Sequence, residues 1–86
     1  MRDLELKNIL KIGAKEFLVS TISMHVRHSF FDGDNAKIVY ETMVFEIVDG
    51  DVAYHKTIFN ERYNMKEEAI AEHGAILKNP EAFFIV

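Results

Sequence analysis

The sequence predicts a small α+β domain in which a three-stranded antiparallel β-meander is followed by one amphipathic helix. Two turn signals separate three segments that are rich in β-branched and aromatic residues. A later segment carries apolar residues at helical spacing and ends near the only proline. We treat residues 1–86 as a single domain, because a chain of this length leaves no room for a second core.

The amino-terminal segment, residues 2–12, fits two patterns. One pattern is helical, with a glycine placed as a carboxyl-terminal cap, and its residues are Leu6, Ile9, Leu10 and Gly13. The other is extended and rests on Leu4, Leu6 and Ile12. We prefer a short helix here.

The first strand of the meander is predicted over residues 17–31. Its period-two apolar positions are Leu18, Ile22, Met24, Val26 and Phe30. Residues 32–35 form a turn signal, and a second strand follows over residues 36–48. Residues 49–51 form a tight-turn signal that leads into a third strand over residues 52–59.

The helix is predicted to begin at Met65, with Asn64 as N-cap and Glu67 placed as in a capping box. One apolar stripe is expected to pack on the sheet, and its residues are Ala69, Ile70, His73, Ile76 and Leu77. The helix should stop at Asn79, before Pro80. Residues 83–86 are too apolar to remain in water, so we expect them to dock on a groove, extend the sheet or cross to a partner chain.

One cluster of polar residues depends on the register of the first hairpin. If the turn centres on Gly33 and Asp34, Met24 pairs with Met43, Ile22 with Phe45, Val26 with Glu41 and His28 with Val39. His28 and Glu41 then face the helix, which carries His73. Two histidines and a carboxylate could bind a divalent metal. Alternatively, one histidine and the glutamate could be poised for proton transfer. We favour a structural hydrogen-bond network over a metal site at His28, Glu41 and His73, because buried polar groups must be paired whether or not they perform chemistry.

The other side of the sheet is predicted to be an outer face. It would carry residues of the first strand, with Ile38, Tyr40 and Val44 opposite them. This mixed surface could bind a partner or remain half-exposed, and we favour a homodimer seam that buries Tyr40 and Val44 between chains.

Composition excludes some classes of function. The formal charge of −4 and the pI near 5.5 disfavour nucleic acid as a partner, because polyanion binding needs a basic patch. There is no cysteine to form a disulfide, and no apolar stretch long enough for a signal sequence or a bilayer span. We therefore expect a cytoplasmic protein that binds neither a membrane nor a cofactor. We also expect self-association, which would supplement the thin core of so short a chain.

Several short motifs, each present once, follow one another along the chain. They are Val19-Ser20-Thr21, His28-Ser29-Phe30, the run Glu-Thr-Met-Val-Phe at 41–45, Arg62-Tyr63, Glu67-Glu68-Ala69 and His73. In these residues the chain resembles a family of small, uncharacterised phage and prophage proteins. The resemblance covers about residues 18–77 and implies a phage or prophage origin, without an assigned activity. The function that we expect is a non-enzymatic protein-binding module acting as a homodimer. The alternative is a small metal-binding or metal-dependent hydrolytic protein that uses His28, Glu41 and His73.

Overall fold

The computed structural model describes residues 3–27 and 36–86 and has an α+β architecture. An antiparallel sheet with the strand order β1-β2-β3-β4 is followed by one helix. The elements are β1 Glu5–Ile12, β2 Lys15–Arg27, β3 Ala36–Val48, β4 Asp51–Tyr63, α1 Lys66–Lys78 and a short 3-10 helix Pro80–Ala82. The antiparallel sheet and the carboxyl-terminal helix confirm the predicted class, but the sheet has four strands rather than three. In the described ranges no helix is long and apolar enough to span a membrane.

The additional strand is β1, so the preference for a short amino-terminal helix was wrong. β1 pairs with β2 without interruption, from Glu5 opposite Ile22 to Ile12 opposite Lys15. Its even-numbered apolar residues are partly buried, whereas Ile9 is 64% exposed. Gly13 adopts a φ of 61° in the tight turn that joins β1 to β2. The apolar residues of this segment therefore repeat every two positions, as in a strand. The sequence pattern also fits a helix, and only the pairing with β2 shows which conformation forms.

The helix covers the face of the sheet that the sequence pattern assigned to the outside. Val19 and Val44 are fully buried on that face, in one cluster with Phe17, Ile76 and Phe84. Tyr40 lies on the same face and donates a hydrogen bond from its hydroxyl to Asp3 at 2.8 Å. The predicted homodimer seam at Tyr40 and Val44 is thus wrong, because both side chains belong to the interior of one chain.

The opposite side of the sheet, called the open face below, is the one predicted to pack under the helix. Its apolar residues are Leu18, Ile22 and Met24 of β2 with Val39, Met43, Phe45 and Ile47 of β3. Among the described residues no helix covers it, and its side chains are shielded mainly by one another; Phe45, for example, packs edge-on against Tyr54 at 5.1 Å. Both faces of β2 and β3 are apolar enough to form a core, so hydrophobic pattern alone could not choose between them.

The register of β2 against β3 differs by four residues from the prediction. Met24 pairs with Val39 rather than Met43, and Ile22 pairs with Glu41 rather than Phe45. The pairing predicted for His28 lies outside the described residues. A slip by an even number of residues leaves every side chain on its own face, so matching apolar faces cannot detect it.

The carboxyl-terminal segment completes the core beneath the helix. Phe84 is 6% exposed and packs on Phe17 with 5.4 Å between ring centroids, and Phe83 meets Phe59 at 5.9 Å. The prediction that this segment docks on a groove therefore holds for its two phenylalanines. Ile85 remains 94% exposed.

The helix begins one residue later than predicted. Met65 rather than Asn64 is the N-cap, with φ −117° and ψ 136°, and it supplies no side-chain hydrogen bond to the first turn. The dihedral angles are those of a normal N-cap, so the missing bond follows from the thioether side chain.

Replacing Met65 with serine should therefore stabilise the protein by about 1 kcal/mol, because a serine hydroxyl can accept a bond from a free amide of the first turn. Met65 is 56% exposed, so little packing is lost. Urea unfolding of Met65→Ser beside Asn64→Ala measures the effect. A gain for the first variant and no change for the second is expected. A loss for Asn64→Ala without a gain for Met65→Ser would place the cap at Asn64.

Candidate functional site

The most polar part of the interior is centred on His73, which α1 directs onto the sheet. His73 is 4% exposed, and both of its ring nitrogens are hydrogen-bonded. Nδ1 lies 2.7 Å from the Thr21 hydroxyl oxygen on β2, and Nε2 lies 2.8 Å from the Asn8 amide oxygen on β1. Thr21 in turn lies 2.6 Å from the Thr42 hydroxyl oxygen on β3. We call Asn8, Thr21, Thr42 and His73 the His73 network.

The direction of each hydrogen bond in this network can be assigned by starting from Asn8. The Asn8 oxygen can only accept, so His73 carries its proton on Nε2 and donates it there. Nδ1 is then an acceptor for the Thr21 hydroxyl, whose oxygen accepts from Thr42. Each strand from β1 to β3 thus contributes one side chain, and the bonds link α1 to the middle of the sheet.

Tyr63 and Glu72 lie beside the network at the end of β4. The Tyr63 hydroxyl donates to the Glu72 carboxylate, which joins β4 to α1. Burial and the hydrogen bond to Glu72 raise the pKa of Tyr63 well above its ordinary value.

Burial lowers the pKa of His73 below the ordinary value of a histidine side chain. The ring is neutral at physiological pH. All buried side-chain nitrogen and oxygen atoms of the described residues have a hydrogen-bond partner. The network is therefore a fully paired polar cluster that runs from the buried side chains of Thr42, Thr21 and His73 to the exposed Asn8 on the edge strand β1.

The structure does not bring Glu41 and His73 together. Glu41 lies on the open face, where its carboxylate accepts hydrogen bonds from Arg62 and Asn60, each at 3.4 Å. Arg62 provides the neutralising charge. His73 lies under the helix on the other face, and His28 lies outside the described residues. Glu41 and His73 do not meet, because the helix packs on the face of the sheet opposite to the predicted one.

The connectivity of Thr21, His73 and Asn8 matches that of a nucleophile, its base and an orienting group. Its surroundings do not suit catalysis. The Thr21 side chain is fully buried, and its oxygen is already bonded to Thr42. A nucleophile must reach the reacting atom of a substrate, and this hydroxyl is enclosed by the sheet and the helix. The arrangement therefore holds the helix in place and is not an open site.

The described residues include no group of three or more His, Asp or Glu side chains that could hold a metal ion. Three surface depressions are lined by residues outside the His73 network. One of about 430 Å³ lies where β4 bulges away from β3, and its polar lining consists of Glu46, Asp51, His55 and Lys56. These side chains are at the surface and do not form a metal cluster.

Sequence reasoning identified His73 but missed its partners Thr21, Thr42 and Asn8. A signal was present, because a histidine on an apolar helix stripe requires hydrogen-bond partners on whichever face it meets. Thr21 and Thr42 lie directly opposite one another. The faces of β2 and β3 that carry these hydroxyls are the ones that the helix covers, so Thr21 can bond to the buried ring of His73.

Comparisons with protein families, curated proteins and solved structures found no match to this chain.

Proposed function

We propose that this chain is a non-enzymatic phage or prophage accessory protein that acts as a homodimer and binds another protein through its open face. The open face is the observation that carries the proposal, because it is an apolar sheet surface that no described helix covers. The phage origin rests on the resemblance of residues 18–77, and the cytoplasm is the expected compartment.

The size of the open face suits protein recognition. Its three long strands have 13 residues each and β1 has 8, which corresponds to roughly 750 Å² of sheet surface at ordinary strand spacing. A partner in a stable complex contributes about 800 Å². The open face is therefore large enough for one protein partner.

The charge of the open face also indicates what kind of partner fits. The charged side chains whose register places them there are Glu5, Lys7, Lys11, Glu16, Lys37, Glu41 and Arg62. Basic and acidic residues nearly balance, and three ion pairs within the face join Glu5 to Lys7, Lys11 to Glu16 and Glu41 to Arg62. Such a surface lacks the basic excess that nucleic acid requires and fits a protein surface that is apolar and almost uncharged.

The burial of Thr21, Thr42 and His73 supports a non-enzymatic role. Their polar groups bond to one another, and the Glu41 carboxylate bonds to Arg62 and Asn60. Among the described residues we find no set of open, convergent side chains of the kind that catalysis uses.

Photo-crosslinking from the open face tests the proposal. A benzophenone amino acid at position 43 should yield an adduct with a different protein in the bacterium of origin, and the same group at Ile70, exposed on the helix, should not. Light scattering on the purified chain should give the mass of a dimer. No adduct at position 43, or only an adduct of two copies of this chain, would contradict binding of another protein there.

A further inference from the structure

The two edges of the sheet differ in regularity. β4 has register shifts against β3 near Val44, Phe45 and Ile47, and such bulges hinder pairing with a further strand. β1 pairs with β2 in unbroken register over its whole length and contains no proline. In the described ranges no strand pairs with its outer side. A regular edge of this kind is a template for another strand.

The hydrogen bonds to β2 determine which β1 residues present their backbone outward. The Leu4 carbonyl accepts from the Ser23 amide at 3.0 Å, so Leu4 directs its carbonyl group toward β2. Backbone direction alternates along an antiparallel strand. Glu5, Lys7, Ile9 and Lys11 therefore direct their amide and carbonyl groups away from β2, and their side chains lie on the open face.

The sequence of β1 is complementary to itself in one antiparallel register. With the two-fold axis at Asn8, Glu5 lies opposite Lys11 of a second copy, Lys7 opposite Ile9, and Leu6 opposite Leu10. The outward-facing residues then meet as hydrogen-bonded pairs. Sliding the strands to the next compatible register on either side places Lys7 opposite Lys7 or Lys11, which repels. Of these three registers, only the one centred on Asn8 pairs opposite charges at both ends.

We infer that a second copy of this chain pairs with β1 in this register, so that two four-stranded sheets join into one of eight strands. The inference rests on the homodimer of the proposed function and states where its seam lies. Because the two-fold axis is perpendicular to the sheet, both open faces lie on the same side. Dimerisation thereby doubles the continuous surface offered to the protein partner.

The existing ion pairs extend across this seam. Within one chain Lys7 lies 3.7 Å from Glu5, and Lys11 lies 3.7 Å from Glu16. The pairing places Glu5 of one copy beside Lys11 of the other, so each end of the seam carries a row of four charges of alternating sign. Glu5 and Lys11 have side chains 54% and 75% exposed, so both are free to adjust without disturbing the core.

Charge reversal at the seam tests this inference. Sedimentation equilibrium should show a dimer that Glu5→Lys or Lys11→Glu each weakens about tenfold or more, since the two-fold axis doubles each effect. The double variant Glu5→Lys with Lys11→Glu should restore the dimer to within about threefold, because the opposite charges meet again with their positions exchanged.

A backbone variant supplies an independent readout. Ile9→Pro removes an outward amide that β2 does not use, so the monomer should fold while the dimer is lost, and the matched Ile9→Thr should still dimerise. A dimer insensitive to all these changes would overturn the β1 seam and leave the proposed homodimer intact. A wild-type monomer at every concentration would overturn both, whereas binding at the open face is judged separately by the adducts at position 43.

Discussion

Val44→Asp is expected to abolish folding, whereas Met43→Asp should leave a folded protein. Val44 is fully buried between the sheet and the helix, in a core cluster with Val19 and Ile76. An unpaired carboxylate in that position costs several kcal/mol even when it takes up a proton. The total stability of a domain of this size is roughly 4–13 kcal/mol, so the loss is a large part of it.

Met43 is the matched control, because it is the neighbour of Val44 on the same strand and points to the open face. An aspartate there can reach solvent, so the cost should be about 1 kcal/mol. Circular dichroism and urea titration distinguish the two outcomes. If Met43→Asp fails to fold and Val44→Asp folds normally, the helix covers the other face.

Acidification from about pH 7 to about pH 5 should lower the free energy of unfolding by up to about 2 kcal/mol through His73 alone. Burial lowers the pKa of His73 in the folded chain, and its unfolded value is near 6.5. The unfolded chain therefore binds the proton first as the pH falls. The stability that the neutral ring contributes is complete above the unfolded pKa and is lost progressively below it.

Comparison with His73→Gln isolates this contribution, because the other titrating groups are common to both proteins. The variant should be less stable at neutral pH and should show a shallower loss between about pH 7 and about pH 5. Following the ring protons of His73 by NMR gives the folded pKa directly. Parallel stability curves for the two proteins, or a ring that titrates at or above 6.5, would show that burial does not hold His73 neutral.

The face of the sheet on which the helix packs determines which side chains meet in the candidate site. Helical spacing correctly predicted the buried positions Ala69, His73 and Ile76 of the helix stripe. Ile70, which was also predicted to pack on the sheet, is 45% exposed. The face of the sheet that the stripe meets was not predictable, since β2 and β3 carry apolar residues at both odd and even positions. His73 consequently meets Thr21 and Asn8 instead of Glu41, and Glu41 meets Arg62 across the open face.

The sequence by itself determined an antiparallel sheet of strands joined by tight turns, followed by an amphipathic helix that ends before Pro80. These features arise from interactions among near neighbours in the chain: side-chain alternation, turn residues with a φ such as the 84° of Gly50, and helical spacing. The tertiary structure alone decided the extended form of β1, the register of β2 with β3, and the face beneath the helix. Each of these depends on pairings between distant residues, where local patterns allow two solutions of similar hydrophobic quality. On the face that the helix covers, Thr21 of β2 and Asn8 of β1 pair both ring nitrogens of the buried His73.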